Sequence, residues 1–428
     1  MKEIRTAALV ASKLKQWGMT VIEGVGRLGV IGILKSNAPG SRSIGLRADM
    51  DALELTEKND VPYVSTNPGV MHACGHDGHT TTLLGAAKYL AENRDSFCGT
   101  VYFIFQPAEE KDDGALAMIK DKLFDRFPMD AVYGQHNRPN LAIGQFAIRP
   151  GPMMAADDTW IVIFRGTGGH GASPHLATDV TVLLAQFLLS LQTIVSRNIA
   201  PTDAAVVSVG AIESGSFGSL NVLPSEIRIG GTARSFTKEV RDTIERRMTE
   251  LAHGIAANFG CTAEIQYKRV GIPLVNHVQS TERAIRAAES LVGAPNVNGN
   301  ITPTMGGEDF ANMLEQRPGA YILIGNGMQS DSGEFKSCDK PTGASAGWWQ
   351  SFKRIQDGKE NIIPFVTCIQ CKTILSYDAQ KTGSKTLKLH YENCKIRPVI
   401  APKITTHFTS QKYDKVSIHC EYWSYGHE

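Results

Sequence analysis

The stretch Met71-His72-Ala73-Cys74-Gly75-His76-Asp77-Gly78-His79 brings three imidazoles, one thiol and one carboxylate together in nine residues. A helical pattern follows directly over residues 80–93, so the cluster is predicted to lie on a loop that opens a helix. Thiol and imidazole ligands together favour borderline-soft divalent metals such as Zn²⁺. Both side chains also occur in ordinary loops, so this stretch alone leaves a metal site and a plain loop as alternatives.

The overall composition is typical of a soluble globular protein. The chain has 428 residues, of which 42% are hydrophobic and 20% charged, and this length predicts two or three domains. No run of about 18 apolar residues is present, which predicts that no segment spans a membrane. The N-terminus has the pattern of an amphipathic helix without the apolar segment of a signal peptide, so we expect a cytoplasmic protein.

Three predicted strands each end in polar residues suited to a ligand site. The strands cover residues 43–46, 101–105 and 131–133, and helical patterns over 80–93 and 114–122 alternate with them. This alternation predicts an α/β domain with a mainly parallel sheet, in which ligands bind beyond the carboxyl ends of the strands. We therefore expect the polar residues that follow these strands to meet in one site, namely Asp49, Asp51, Glu109, Glu110 and His136.

Together with the first stretch, these residues form a candidate hydrolytic metal centre. The four candidate ligands, which offer sulfur, nitrogen and oxygen donors, are Cys74, His76, Glu110 and His136. Glu109 is the candidate general base, and Asp49 and Asp51 are candidates for orienting the ligand histidines. An adjacent glutamate pair is also common on solvated surfaces, and a lone histidine after a strand is often structural, so each signal is weak by itself.

After residue 153 the pattern changes to that of a more open sheet with long helices. Strand patterns cover residues 160–164, 204–212, 226–235 and 263–267, and amphipathic helices are predicted over 180–197 and 238–259. We interpret residues 154–267 as an α+β domain inserted into the first domain, which comprises residues 1–153 and 268–327. A glycine-rich turn within it, Gly166-Thr167-Gly168-Gly169-His170-Gly171-Ala172-Ser173-Pro174-His175, is by itself more typical of a tight turn than of a site.

With these motifs, residues 5–327 resemble the M20 metallopeptidase family in its amidohydrolase branch. That branch includes hippurate hydrolases, N-acyl-amino-acid amidohydrolases and plant auxin-conjugate hydrolases. The motifs that carry the resemblance occur in the family's order and are Leu46-Arg47-Ala48-Asp49-Met50-Asp51-Ala52-Leu53, the stretch His72–His79, Gln106-Pro107-Ala108-Glu109-Glu110, Gly134-Gln135-His136-Asn137, Gly169-His170-Gly171-Ala172-Ser173-Pro174-His175, Gln192-Thr193-Ile194-Val195-Ser196-Arg197-Asn198, Asn221-Val222-Leu223-Pro224 and Gly307-Glu308-Asp309-Phe310.

The resemblance implies a metal-dependent hydrolase that cleaves the amide bond of N-acyl amino acids. It implies two divalent ions, Zn²⁺ or Mn²⁺, held by the four candidate ligands, with Glu109 as the general base. It also implies that the inserted domain forms a homodimer, in which His170 reaches the site of the other subunit and steadies the tetrahedral oxyanion. Asn221 and Arg234 match positions near the bound substrate.

The chain departs from the family pattern at both ends of this region. The family begins earlier, with a helix that carries a basic–His–Pro–Glu signature, and its last metal ligand is a histidine in a His-His-Pro-like segment. The residues from Met328 onward do not match that last segment. We therefore expect one metal position to lack a ligand, which would lower metal affinity or activity by about 10–100-fold or more.

The last hundred residues carry a second candidate metal site. Residues 328–345 have the composition of a linker, and the Cys-x2-Cys…His-x3-Cys pattern that follows consists of Cys368, Cys371, His390 and Cys394. Over residues 346–397 it resembles the BED-type zinc finger, which implies one structural Zn²⁺ and a basic surface for DNA. The alternative is a tail that binds nothing, and residues 398–428 are uninformative. A catalytically inactive chimera that binds DNA in the nucleus through this finger is therefore the second hypothesis.

Overall fold

The computed structural model describes residues 1–327, except residues 60, 112 and 113, and beyond them the backbone of four short strands. In this part the helices are α1 (Ile4–Gln16), α2 (His76–Glu92), α3 (Gly114–Lys120), α4 (Leu123–Arg126), α5 (Val180–Thr193), α6 (Lys238–Asn258), α7 (Val278–Val292) and α8 (Ala311–Gln316). The strands are β1 (Thr20–Val25), β2 (Gly29–Lys35), β3 (Ala38–Asp49), β4 (Cys98–Gln106), β5 (Ala131–Arg138), β6 (Phe146–Ala147), β7 (Gly151–Met154), β8 (Ala156–Arg165), β9 (Gly169–His170), β10 (Ala205–Ser214), β11 (Val222–Leu223), β12 (Glu226–Ser235), β13 (Thr262–Arg269), β14 (Leu274–Asn276), β15 (Val297–Asn298), β16 (Gly319–Gly325), β17 (Phe335–Cys338), β18 (Phe352–Asp357), β19 (Ile362–Cys368) and β20 (Ile374–Ser376).

The first sheet has eight strands in the order β1-β2-β4-β3-β5-β16-β6-β15. Its four central strands, β4, β3, β5 and β16, run parallel to one another. The other neighbours pair antiparallel, except for the parallel edge pair of β6 and β15. The sheet is therefore mixed, and the prediction of a mainly parallel sheet is corrected in this respect.

The difference arises largely from the N-terminal hairpin of β1 and β2, which the sequence analysis did not predict. Gly26 and Arg27 in its turn have φ values of 60° and 83°, so two consecutive left-handed residues reverse the chain tightly. A tight hairpin joins antiparallel strands, whereas parallel neighbours need a longer crossover connection. The hairpin therefore extends the parallel centre of the sheet with an antiparallel edge.

Helices cover both faces of this first sheet. Alternate side chains of β4 point to opposite faces: Phe103 and Phe105 pack in a core with α1 and α2, and Tyr102 and Ile104 pack in a core with α3, α4 and α8. All four side chains are buried. This two-sided burial explains why β4 is apolar throughout rather than alternating.

A second sheet has four antiparallel strands in the order β10-β12-β8-β13. Alternate residues of β8, Trp160, Val162 and Phe164, point into a separate core that includes α5 and α6. Asp179 and Thr237 cap the N-termini of these two helices with their side-chain oxygens. These elements span residues 156–269 and so overlap the segment 154–267 that was interpreted as an inserted domain. The exact boundaries of that domain stay a prediction.

One helix of the described part is long and apolar enough to cross a membrane by length and composition alone. It is the segment Val180–Asn198, which joins α5 to a π-helical turn and has a mean hydropathy of 1.5. Leu183 and Phe187 on one side of it are completely buried in the core of the second sheet, while Val182 and Leu189 are exposed. This one-sided burial is typical of a helix that packs on a sheet.

The predicted linker, zinc finger and tail fall largely outside the described residues. Within 328–428 the structure describes only the backbone of β17 to β20, which form an antiparallel sheet in that order. Cys368 is the last residue of β19, and nothing is described of its side chain. The other predicted finger ligands, Cys371, His390 and Cys394, lie outside the described residues.

Core packing in α1 generates a stability prediction. Leu14 is completely buried, whereas Leu9 in the same helix is 55% exposed. Leu14→Ala should lower the free energy of unfolding by about 2–5 kcal/mol, because it removes buried apolar atoms and leaves a cavity. The matched Leu9→Ala should change it by less than about 0.5 kcal/mol. Chemical denaturation of both variants measures the difference, and equal losses would contradict the packing described.

Candidate metal centre

Strand ends of the first sheet converge on the loop that starts α2. Asp49 at the end of β3 pairs with Gln106 at the end of β4, and His136 lies near the end of β5. Helix α2 begins at His76, earlier than the predicted residue 80, so His76 and His79 both lie in its first turn. The parallel centre of the sheet thus delivers side chains from separate motifs to one edge, as such sheets do.

The four predicted metal ligands lie together in this cluster. The Cys74 sulfur is 3.3 Å from His136 Nε2, and His76 Nε2 is 3.9 Å from Glu110 Oε1. Ligand atoms of Cys74, His76 and His136 all lie within 4.8 Å of one another, and so do those of His76, Glu109 and Glu110. The two groups share His76, so they form one continuous set of donor atoms.

Two buried atoms of this set have no hydrogen-bond partner among the described residues, namely His76 Nε2 and Glu110 Oε1. Leaving a buried polar atom unpaired costs about 1–3 kcal/mol, and a divalent cation between these two atoms would satisfy both. The other ring nitrogen of His76, Nδ1, contacts Asp51 Oδ1 at 3.1 Å. A carboxylate partner of this kind is typical of metal-binding histidines. The residues present therefore fit a divalent metal ion.

A strained turn presents the two adjacent glutamates to the cluster. Ala108 is buried and has a φ of 54°, a left-handed value that is uncommon for a residue with a side chain. It comes shortly after the end of β4, and the Glu110 N–H that follows donates to Asp51 Oδ2 at 2.9 Å. Backbone strain of this kind persists only where surrounding contacts enforce it, and it is concentrated at functional sites.

Arg47 is the cation around which the carboxylates of the site are arranged. Its completely buried guanidinium contacts Asp49 at 2.7 Å and both Glu308 and Asp309 at 2.9 Å. Ligand atoms of Glu109, Glu308 and Asp309 also lie within 4.8 Å of one another. When all four carboxyl groups are ionised, their negative charge exceeds the positive charge of the Arg47 guanidinium, even with the imidazoles of His76 and His79 beside Asp49. Such an excess favours binding of a further cation.

Burial and this excess charge shift the pKa values of the acidic groups. Burial, and then the charges of Glu308 and Asp309, raise the pKa of Glu109 to about 10. Burial also raises the pKa of Glu110 and of the Cys74 thiol. A divalent cation bound beside these groups would lower all three pKa values, because a nearby positive charge favours the ionised form. Metal binding is therefore expected to release protons.

Sequence reasoning missed the part that His79 plays in this arrangement. Its buried ring contacts Asp49 Oδ1 through Nδ1 at 2.6 Å and accepts the Asn137 N–H through Nε2 at 3.0 Å. The Nδ1 of His136 in turn contacts the Asn137 carbonyl at 2.6 Å. Burial alone would raise the pKa of Asp49, but Arg47 and His79 hold it below its usual range. Both His79 and Asn137 occur in the motifs quoted above, and this was the signal from which their role could have been inferred.

The predicted site residues of the second sheet region make no described hydrogen bond to this cluster. His170 is exposed in β9, and Asn221 is exposed just before β11, which pairs with β9. Arg234 is half-buried in β12. Its Nη1 lies 3.7 Å from the place that a Cβ on Gly307 would occupy, next to the acidic pair that contacts Arg47. The structure thus places Arg234 near the cluster, while His170 and Asn221 face solvent.

The profile of peptidase family M20/M25/M40 matches residues 45–339, which is more than half of the chain. The chain belongs to this family. It is 41% identical over 324 residues to the hippurate hydrolase of Campylobacter jejuni, covering 76% of this chain and 83% of that protein. It is 39% identical over 333 residues to the N-acetyl-L-cysteine deacetylase of Bacillus subtilis, covering 77% of each chain.

The fold agrees with this family assignment. A solved structure from Bacillus subtilis, described as a dinuclear metal-binding peptidase of the M20 family, superimposes with a TM-score of 0.64 at 31% identity. The match covers 76% of this chain and 83% of that one. By family and by its cluster of donor atoms, the chain is a metal-dependent amidohydrolase.

The burial of Arg47 generates a second stability prediction. Arg47→Met should lower the free energy of unfolding by about 3–5 kcal/mol, because it leaves three buried carboxylates without their cation. Arg165→Met is the matched control, since Arg165 also contacts two carboxylates but is 45% exposed. This control should barely move the unfolding midpoint, because solvent screens exposed ion pairs. Urea unfolding of both variants tests this, and an unchanged midpoint for Arg47→Met would contradict it.

Proposed function

We propose that this protein hydrolyses the amide bond of N-acyl amino acids with the help of divalent metal ions. The observation that carries the proposal is the shared donor set of Cys74, His76, Glu110 and His136 beside Glu109. Two similar proteins support the substrate class, because hippurate and N-acetyl-L-cysteine, which their names specify, are both N-acyl amino acids.

The proposed ligands are Cys74, His76, Glu110 and His136, and the proposed metals are Zn²⁺ or Mn²⁺. Two ions are supported by the overlap of two donor groups at His76, and by the similar Bacillus subtilis peptidase described as dinuclear. Thiolate, imidazole and carboxylate donors suit such ions. Asp51 would fix the ring of His76, because it contacts the nitrogen that faces away from the other donors. The segment in which the family pattern provides a further histidine would follow residue 327, outside the residues whose side chains the structure describes, so the expectation that one metal position lacks a ligand stays a prediction.

In this mechanism Glu109 is the general base. When bound, the divalent ions would polarise the amide carbonyl and lower the pKa of a water molecule. Glu109 accepts a proton from the attacking water as the hydroxide adds to the carbonyl carbon. Glu109 then delivers that proton to the nitrogen as the C–N bond breaks. One water is consumed, and the products are a carboxylic acid and a free amino acid.

The adjacent glutamates allow a matched test of this assignment. Glu109→Gln should lower kcat by about 10²–10⁴-fold, because it removes proton transfer, and should leave the affinity for Zn²⁺ or Mn²⁺ nearly unchanged. Glu110→Gln should weaken metal binding itself by about 10–100-fold or more. Turnover of N-acetyl and N-benzoyl amino acids, with calorimetric titration of the metal, separates the two effects. Wild-type turnover no faster than that of Glu109→Gln would refute the proposed function.

We also propose that the second sheet region forms a homodimer and that His170 acts on the site of the other subunit. His170 and Asn221 are exposed and make no described contact with the cluster of their own chain. A polar group that acts in catalysis must contact substrate, so these two residues would have to act at the site of another subunit. The exposed apolar side chains of Val182 and Leu189 on α5 offer a surface for such an association. Arg234, beside Gly307, would bind the substrate carboxylate.

Mixing two inactive variants tests whether His170 acts across subunits. In a dimer of one Glu109→Gln chain and one His170→Ala chain, one of the two sites would keep both residues. Subunit exchange between the variants should therefore restore about a quarter of wild-type activity in a closed twofold dimer. Each variant alone should stay at its own low rate. A mixture no more active than the average of the two variants would exclude action across subunits.

The predicted zinc finger and its DNA contact remain a hypothesis from the sequence. The side chains concerned lie in residues 346–397, outside the part of the chain whose side chains the structure describes. Within the described part, the observations favour amide hydrolysis over DNA binding.

A further inference from the structure

A small apolar recess opens directly beside the proposed ligand His136. Its volume is about 110 Å³, and Met153, Met154, Ile301 and Leu323 provide its apolar walls. Leu323 of β16 is the cross-strand neighbour of His136 on β5, so one wall of the recess continues into the donor cluster. An apolar pocket next to a reacting centre is typical of a site for a hydrocarbon part of the substrate.

The recess and Arg234 both lie close to the same pair of glycines. A Cβ on Gly306 would lie 3.6 Å from Met154 Cε and 3.8 Å from Thr304 Oγ1, both of which belong to residues lining the recess. A Cβ on the next residue, Gly307, would lie 3.7 Å from Arg234 Nη1. The recess and the Arg234 guanidinium therefore approach neighbouring residues of the loop that carries Glu308 and Asp309.

An N-acyl amino acid has two ends that match these two features. Its carboxylate is the end that a guanidinium binds, and this leaves the acyl chain as the end for the apolar recess. The scissile carbonyl lies between the two ends, and the proposed ligand His136 lines the recess. This assignment rests on the proposed function, because it takes the substrate class from it.

The size of the recess bears on which acyl groups could enter it. An apolar cavity of about 150 Å³ holds a benzene molecule, and the recess is smaller, at about 110 Å³. We propose that this protein prefers N-acyl amino acids with a short aliphatic acyl group over those with a benzoyl group, and that Met154 and Ile301 set this limit. Sequence identity alone does not decide which acyl group is preferred. The similar protein named for a benzoyl substrate is 41% identical to the chain, and the one named for an acetyl substrate is 39% identical.

The test compares N-acetyl-, N-butanoyl- and N-benzoylglycine, so that only the acyl group varies. The wild type should show a kcat/KM at least about tenfold higher for the aliphatic substrates, which is the discrimination that one extra group in an apolar pocket gives. Met154→Ala should raise the benzoyl-to-butanoyl ratio by about tenfold, because it enlarges the recess. Met154→Leu, which keeps the volume nearly constant, should leave the ratio unchanged. Ile301→Ala is a second enlarging variant, for use if Met154→Ala does not fold.

Binding provides a second readout that does not require turnover. Calorimetric titration of the metal-loaded Glu109→Gln protein with the same three compounds should give the same order of affinity. A kcat/KM of the wild type that is equal or higher for the benzoyl substrate would overturn the inference. An unchanged benzoyl-to-butanoyl ratio in both enlarged variants would also overturn it. An absence of turnover with the expected order of binding would count against the proposed function and leave the recess assignment supported. Absence of binding by all three compounds would overturn both.

Discussion

The buried guanidinium of Arg47 joins the end of β3 to a loop 262 residues further along the chain. A buried arginine needs several acceptors, and Arg47 finds them in Asp49, Glu308, Asp309 and the Gln106 amide oxygen. The negative charge of three carboxylates exceeds the positive charge of one guanidinium, and Glu109 is a fourth carboxyl group nearby. When these groups are ionised, the contacts that close this edge of the sheet also produce a negative potential, which either protonation of Glu109 or a further cation offsets. In this way the contacts that hold the fold together also favour the binding of a divalent metal ion.

The loop that carries Glu308 and Asp309 is fixed from several sides. Tyr321 of β16 donates its hydroxyl to Glu308, and the Phe310 ring lies beneath the Arg47 guanidinium at 5.6 Å. Gly307 passes close to the second sheet, because a Cβ on it would lie 2.9 Å from a side-chain oxygen of Asp157. Asp157 belongs to β8 of the second sheet. The loop is thus packed against both sheets, which explains how a residue of the second sheet can lie beside a site built mainly on the first.

The sequence indicated those parts of the site that depend on local signals. Cys74, His76, Glu110 and His136 follow strands or open a helix, and parallel strands bring their carboxyl ends together whatever the remaining contacts are. The hairpin of β1 and β2 was missed because β1 is largely exposed, so it lacks a clear apolar alternation, and because Arg27 occupies a turn position that usually holds glycine or asparagine. The predicted helix at residue 80 began too late, since the cluster itself forms the first turn of α2.

Contacts between distant motifs could not be predicted in the same way. No local pattern indicates that Arg47 faces Asp309, or that His79 holds the backbone beside His136, because both contacts depend on how strands and loops are placed in space. The recess beside His136 is a further case, since its lining comes from four separate segments, near residues 138, 153, 302 and 323. Motifs in this family are therefore informative about the reaction, which uses residues at strand ends. The proposed acyl preference rests instead on side chains such as Met154, which lie where separate segments meet. Two chains that share these motifs would therefore still be able to differ in the acyl group they accept.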